Sequence, residues 1–160
     1  MRIGISAVGK LKAGPEKELA ARYLDRLAKA GPAIGLELGK LTELSESRAG
    51  NAETRKREEA GLLEKTLPDG VLLVCLDERG KALDSADFAR TVGEWRDQGV
   101  RDLVFVIGGA DGLDPSLRDR ASLTINLGRL TWPHQLVRIL IAEQLYRAVT
   151  ILSGHPCHRV

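Results

Sequence analysis

The chain is poor in cysteine and has no long apolar run, and both shortages exclude classes of protein. Its two cysteines, Cys75 and Cys157, form no CxxC pair, so we predict reduced thiols, no disulfide framework and no metal site. The aliphatic run at residues 139–142 is far shorter than the roughly 18 residues that a membrane span requires. No signal-peptide core follows Met1, and we therefore expect a cytoplasmic protein without a membrane partner.

An excess of charge of one sign is also lacking, because 24 basic residues face 22 acidic ones. The composition therefore permits a polyanionic partner without requiring one. The charges are unevenly placed, since residues 129–160 hold four arginines, a single acid and all three histidines. The 160 residues are 43% hydrophobic, which suffices for one core, so we predict a single domain spanning residues 1–160.

Strand-like and helix-like segments alternate along the chain, which predicts an α/β domain with a mainly parallel sheet flanked by helices. The continuous apolar runs at residues 71–76 and 103–107 are typical of strands covered on both faces. Alternating apolar residues predict three further strands at residues 2–8, 34–44 and 123–127. The helices are predicted at about residues 15–30, 85–96, 115–120 and 134–152, the second and third capped by Asp84 and Asp114.

Residues 45–59 are charged, of mixed sign and without clear periodicity. We interpret them as a mobile loop leading into a solvated helix that ends near residues 67–68. A flap that contacts RNA is the alternative, because loops of α/β folds often carry ligand contacts. The mixed signs make the flap the weaker interpretation.

Two glycine-containing stretches invite a nucleotide-binding interpretation. Residues 4–10 match the GxxxxGK part of a P-loop, but Leu11 replaces the magnesium-binding Ser or Thr and the stretch continues the alternation of a strand. We therefore reject an NTPase. Residues 108–112 read GGxxG and not GxGxxG, a weak motif that an ordinary strand-to-helix turn also explains.

Ligands of parallel α/β sheets bind at the carboxyl ends of the strands. This rule singles out three loops, at residues 76–78, 108–112 and 127–133. In the last of these, Thr131 is predicted to cap the following helix and Pro133 to occupy its first turn. Capping does not explain Arg129, His134 and Arg138, which place three basic or titratable groups at the same helix end. A solvated edge remains the alternative to a binding site.

The last helix is too apolar to face only one sheet. Twelve of its nineteen residues, 134–152, are apolar, so a second covering surface is needed. That surface could belong to the same chain, but in a small domain we favour a symmetric partner and predict a homodimer. The tail beyond it, residues 154–160, could supply acid/base and phosphate-binding groups to a neighbouring site, or be solvated and idle.

The chain resembles the RlmH family of SPOUT RNA methyltransferases over its whole length. Family members modify a pseudouridine of large-subunit ribosomal RNA. The stretches that carry the resemblance are ISAVGK at residues 5–10, FVIGG at 105–109 followed by Gly112 and Leu113, LTWPHQLVR at 130–138, AEQLYRA at 142–148 and HPCHR at 155–159.

This resemblance implies a SPOUT fold with a C-terminal trefoil knot that binds S-adenosyl-L-methionine. It also implies a homodimer whose catalytic pocket draws on both subunits and whose partner is rRNA of the large subunit within the ribosome. Its implied reaction is methylation of N3 of a pseudouridine, with no metal. The residues implied to bind the cofactor are Leu76, Gly108, Leu127, Gly128, Arg129, Leu130, Thr131 and Trp132.

The catalytic candidates are the basic and titratable groups of the C-terminal region. Transfer to an imide nitrogen requires removal of its proton, so a positioned base or a group that stabilises the deprotonated ring should accelerate it. The candidates are His134, Arg138, His155, His158 and Arg159. The sequence departs from the family at Cys157, where relatives carry a tyrosine. Two alternatives remain, a non-catalytic ribosome-binding or assembly factor and a SPOUT enzyme that acts on tRNA.

Removing the tail separates cofactor binding from catalysis. We expect a chain ending at Gly154 to bind S-adenosylmethionine as the full chain does, because its cofactor loops are intact, and to lose methylation. Calorimetric titration of the cofactor and incorporation of labelled methyl into ribosomes measure the two properties. Full methylation by the shortened chain would show that the tail is idle.

Overall fold

The computed structural model describes residues 1–154, so the tail candidates His155, His158 and Arg159 lie outside the described residues. Within residues 1–154, no helix is long and apolar enough to cross a membrane. The elements in chain order are β1 (Arg2–Val8), α1 (Pro15–Ala30), a 3₁₀ turn (Gly31–Ile34), β2 (Glu37–Leu44), α2 (Ala52–Glu64), β3 (Leu72–Ala82), α3 (Ser85–Asp97), β4 (Asp102–Ile107), α4 (Pro115–Arg120), β5 (Leu123–Asn126) and α5 (His134–Leu152).

The strands form one sheet in the order β2-β1-β4-β3-β5, and every pairing is parallel. This confirms the predicted parallel α/β sheet. Side chains of β4 alternate between two cores: Phe105 faces α1, α3 and α5, while Val104 and Val106 face α2 and α4. Both faces are therefore covered, which is why the central strands are apolar at every position.

The charged segment is a short irregular stretch that leads into a helix, as predicted. Helix α2 begins at Ala52, and Asn51 caps it by accepting a hydrogen bond from the backbone N–H of Thr54 at 2.8 Å. Ala60 and Leu63 of this helix are buried, and so is Glu59. The mixed charges on the outer face of α2 obscure its short apolar stripe in the sequence. Because the helix begins at Ala52, the irregular part is limited to residues 45–51.

The pairing of β3 with β5 is irregular in the carboxyl half of β3. Ile125 pairs with Leu76 and again with Lys81, so the register of β3 against β5 shifts between those two residues. Gly80 lies against the backbone of Ile125, and the side-chain amide of Asn126 donates to the Gly80 carbonyl at 2.7 Å. The apolar run at residues 71–76 therefore predicted only the first half of this strand.

The close approach at Gly80 leaves no room for a side chain. A Cβ there would lie 2.5 Å from the Ile125 carbonyl carbon, and this backbone cannot shift without disturbing the pairing of Ile125 with Leu76 and Lys81. We expect Gly80→Ala to lower the free energy of unfolding by about 1–3 kcal/mol, as overpacking does.

Chemical denaturation measures this loss, with Gly50→Ala as the matched control. A Cβ on Gly50 would meet nothing within 4 Å, so its effect should stay within about 0.5 kcal/mol. Equal stabilities of the two variants would mean that the contact between Gly80 and β5 is not tight.

Candidate functional site

The carboxyl ends of β3, β4 and β5 surround a cavity of about 650 Å³. Ile107 ends β4 and Leu76 lies midway along β3, while Ile125 and Val137 add apolar surface from β5 and α5. Between these side chains lie the backbones of the loops at residues 108–112 and 127–133 and of residues 76–78. The prediction of a loop at residues 76–78 is wrong, because β3 continues through them to Ala82, where it pairs again with β5. The cavity thus combines apolar walls with exposed peptide groups, the composition that small-molecule sites usually have.

Nearly all the residues predicted to bind the cofactor line this cavity. They are Leu76, Gly108, Leu127, Gly128, Leu130, Thr131 and Trp132. Arg129 is not among the lining residues. Leu130 and Trp132 are 74% and 38% exposed, which is unusual for large apolar side chains and indicates a surface that a ligand could cover. Cofactor binding by these residues stays a prediction.

The loop after β4 is tight because Gly108 has no side chain. A Cβ at Gly108 would lie 2.7 Å from the carbonyl carbon of Gly112. The backbone N–H of Gly112 donates to the Gly109 carbonyl at 3.0 Å and closes the turn. Glycine at position 108 thus serves the shape of the loop itself, and the cavity wall depends on that shape.

Helix α5 begins without the side-chain cap that we predicted. Pro133 occupies the N-cap position, and its carbonyl accepts the first helical hydrogen bonds, from Leu136 and Val137. The prediction that Thr131 caps the helix is wrong. Thr131 lies two residues too early, so its side chain is left to line the cavity. The loop is stabilised instead by Trp132, whose Nε1 donates to the Leu127 carbonyl at 3.2 Å.

Arg138 is buried at the junction between α5 and the end of β1. Its side chain is 6% exposed, and Nη1 lies 2.5 Å from Oε1 of Glu43 on β2. Nη2 donates to the Val8 carbonyl at 2.9 Å and also to the Gly9 carbonyl. Burial lowers the pKa of Arg138 and Glu43 opposes this shift, yet no shift of this kind discharges a guanidinium at neutral pH. These contacts hold the first turn of α5 against β1.

His134 lies between this junction and the cavity. It lines the cavity, and its Nε2 is 3.3 Å from the point that a Cβ of Gly9 would occupy. Oε1 of Glu46 lies 3.0 Å from the same point. His134 is therefore the described catalytic candidate that faces the cavity, whereas Arg138 is committed to backbone carbonyls and to Glu43. A catalytic role for either stays a prediction.

Several cavity-lining residues were missed by the sequence analysis. Arg118 of α4 pairs with Asp77 at 3.2 Å, and the Asp77 side chain is only 7% exposed. Lys56 reaches the cavity from α2. Asp77 itself lies in the stretch 76–78 that the strand-end rule singled out, whereas its partner Arg118 has no signal in the sequence that marks it as a cavity residue. Lys56 lies within a run of mixed charge, which carries no signal that distinguishes it from its neighbours.

Two buried acidic groups near the site have raised pKa values. Burial raises the pKa of the Cys75 thiol to about 12, with a smaller contribution from Asp77, so the thiol stays protonated and is not a nucleophile at neutral pH. Burial also raises the pKa of Glu59, which the hydrogen bond from the Ser47 N–H partly offsets. Within residues 1–154, no group of three or more His, Cys, Asp or Glu side chains could hold a metal ion.

A family model described as "Predicted SPOUT methyltransferase" matches residues 1–158. The chain belongs to the SPOUT methyltransferase family. Family membership implies the trefoil knot.

Curated relatives match this SPOUT chain from end to end. A protein of Rhizobium rhizogenes named "Ribosomal RNA large subunit methyltransferase H" is 76% identical over 160 residues, which is 100% of both chains. A protein of Rhizobium meliloti with the same name is 75% identical over 159 residues and 99% of each chain.

A solved structure of the SpoU methyltransferase AviRb from Streptomyces viridochromogenes, in complex with AdoMet, matches far more distantly. It is 13% identical with a TM-score of 0.42, and the match covers 96% of this chain and 61% of that one. A likeness at this level supports no conclusion about the cavity.

Replacing Arg138 tests its part in joining α5 to β1. We expect Arg138→Met to lower the free energy of unfolding by about 2–4 kcal/mol, because Glu43 and two backbone carbonyls lose their donor. Chemical denaturation measures the loss. Arg120→Ala removes an exposed arginine 4.0 Å from Glu64 and should cost less than about 1 kcal/mol. Similar losses of unfolding free energy in both variants would mean that Arg138 does not join α5 to β1.

Proposed function

We propose that this SPOUT enzyme transfers a methyl group from S-adenosylmethionine to N3 of a pseudouridine in large-subunit (23S) rRNA. The observation that carries the proposal is the end-to-end identity of 76% to a relative named as a large-subunit rRNA methyltransferase. A small single domain has little surface for contacting RNA bases, so we expect it to recognise the shape of a folded rRNA site in the ribosome more than a base sequence. The proposed substrate is therefore the ribosome, and the proposed compartment is the cytoplasm.

The cavity suits S-adenosylmethionine in its chemistry. Apolar side chains such as Leu76, Ile107 and Ile125 can enclose the adenine ring, and the backbone groups of the loops at residues 108–112 and 127–132 can satisfy its nitrogen atoms. The cofactor would supply a methyl group on a positively charged sulfur, from which a nitrogen nucleophile can displace it. This function requires the loops to hold the cofactor, which is the role proposed for their residues.

The chain itself must deal with the proton of the target nitrogen. When the N3–CH₃ bond forms and the S–CH₃ bond breaks, the N3 proton must pass to a base, and the products are methylated RNA and S-adenosylhomocysteine. His134 is the described candidate base because it lines the cavity. The tail residues His155, His158 and Arg159 are further candidates, for the base and for stabilising negative charge on the ring.

A homodimer completes the proposal. Helix α5 is partly covered by its own chain, since Ile141, Leu145 and Val149 belong to the core that α1 and α3 share. Leu136 on its outer side is 37% exposed, and Ile139 and Leu140 are only half-buried. A symmetric partner on this side would bury the remaining apolar surface and could bring its tail to the neighbouring cavity. Either a histidine of the tail then takes the role of the tyrosine hydroxyl that Cys157 lacks, or that hydroxyl is dispensable.

Methylation of purified ribosomes tests the proposed function. We expect ribosomes that lack the modification to gain one methyl mass in 23S rRNA when incubated with the protein and S-adenosylmethionine, and tRNA offered in parallel to gain none. Mass spectrometry of digested RNA locates the added group. Cofactor binding with unchanged rRNA mass would indicate a non-catalytic ribosome-binding factor, and incorporation into tRNA alone would assign a different substrate.

A further inference from the structure

Lys56 enters the cavity from an element that none of the predicted cofactor loops includes. It lies in the first turns of α2, its side chain is half-buried, and it lines the cavity. A lysine on a cavity wall can pair its ammonium group with a negative group of the protein or of a ligand. The surroundings of Lys56 therefore indicate whether the protein or a ligand supplies that group.

The nearby carboxylates are already engaged by other residues. Asp111 accepts two hydrogen bonds from Arg55, at 2.6 and 3.0 Å. Asp114 caps α4 and accepts the backbone N–H of Ser116 at 2.9 Å and its hydroxyl at 2.7 Å. Among the ion pairs of residues 1–154, none includes Lys56. The charge of Lys56 acts on Asp111 and Asp114 from a distance without forming an ion pair, so the ammonium group can still pair with an anionic group of a ligand.

The position of Lys56 is fixed by the residues around it. Arg55 joins α2 to the loop after β4 through Asp111 and also donates to the Ala49 carbonyl at 3.0 Å. Glu59, one helical turn further on, accepts the backbone N–H of Ser47 at 2.9 Å. Hydrogen bonds therefore join helix α2, the segment 45–51 and the glycine loop, and Lys56 lies on the helix that these contacts hold in place.

We propose that Lys56 binds a backbone phosphate of the substrate RNA and thereby holds the target nucleotide over the cavity. The inference rests on the proposed function and adds a substrate-binding residue to it. An ammonium group is a common partner of RNA phosphate. The cofactor carboxylate is the other anion with matching chemistry, but Lys56 lies on α2, outside every segment whose residues are implied to bind the cofactor.

Steady-state methylation of unmodified ribosomes by Lys56→Ala tests this assignment. We expect KM for the ribosome to rise about tenfold, the effect of losing one charge-assisted hydrogen bond, while the calorimetric affinity for S-adenosylmethionine without RNA stays unchanged. The slope of log(kcat/KM) against log salt concentration should become shallower by about 0.7, the value for one phosphate contact to a single strand. Lys56→Arg should have a ribosome KM close to the wild-type value, because it keeps the positive charge.

Arg57→Ala is the matched control, since Arg57 is the next residue of the same helix, is exposed and does not line the cavity. Its ribosome KM should stay within about twofold of the wild-type value. An equal rise of the ribosome KM in both variants would show a general electrostatic attraction to RNA and would overturn the phosphate contact proposed for Lys56. Weaker cofactor binding by Lys56→Ala would assign the ammonium to the cofactor carboxylate instead. Failure of the proposed function is a separate result, because the wild-type protein would then methylate no ribosome.

Discussion

The tight contact between β3 and β5 is the constraint on which the rest of the site depends. Gly80 lies against the backbone of Ile125, and β3 pairs with β5 both before and after Gly80. Because β4, β3 and β5 are parallel neighbours in the sheet, the loop at residues 127–133 that follows β5 lies beside residues 76–79 of β3 and beside the loop after β4. The cavity is therefore a product of the strand order, which brings together segments that are far apart in sequence.

Arg138 adds a second constraint at the neighbouring strand end. Its guanidinium ties the first turn of α5 to the carbonyls that follow β1 and to Glu43 on β2. The start of α5 is thus held on one side by the loop at residues 127–133 and on the other by a buried ion pair. His134, the first residue of α5, lines the cavity while its Nε2 lies beside Gly9 at the end of β1. The basic character of this helix end therefore serves internal structure as well as any anionic ligand.

Much of the fold could be predicted from the sequence because its signals are local. The apolar runs of β3 and β4, the caps at Asp84 and Asp114, and the glycine that shapes the loop after β4 all depend on neighbouring residues only. The cofactor loops were predictable because parallel strands open at one edge. Thr131 was misjudged as a cap, since several residues of this stretch can begin a helix and packing decides between them. The order in which the strands pair also has no local signal.

The sequence by itself determined that the chain forms a parallel α/β sheet and which family the chain resembles. It also indicated the loops after β4 and β5. These features could be predicted because hydrophobic periodicity and motif spacing depend on residues that are close in sequence. Tertiary structure alone decided the uses of the charged residues. Arg138 binds backbone carbonyls at the end of β1, and Arg55 links α2 to the glycine loop. Lys56 lines the cavity and forms no ion pair among residues 1–154. The physical reason is that an ionic contact depends on distance and burial, and residues such as Arg138 and Val8 are separated by most of the chain before folding joins them.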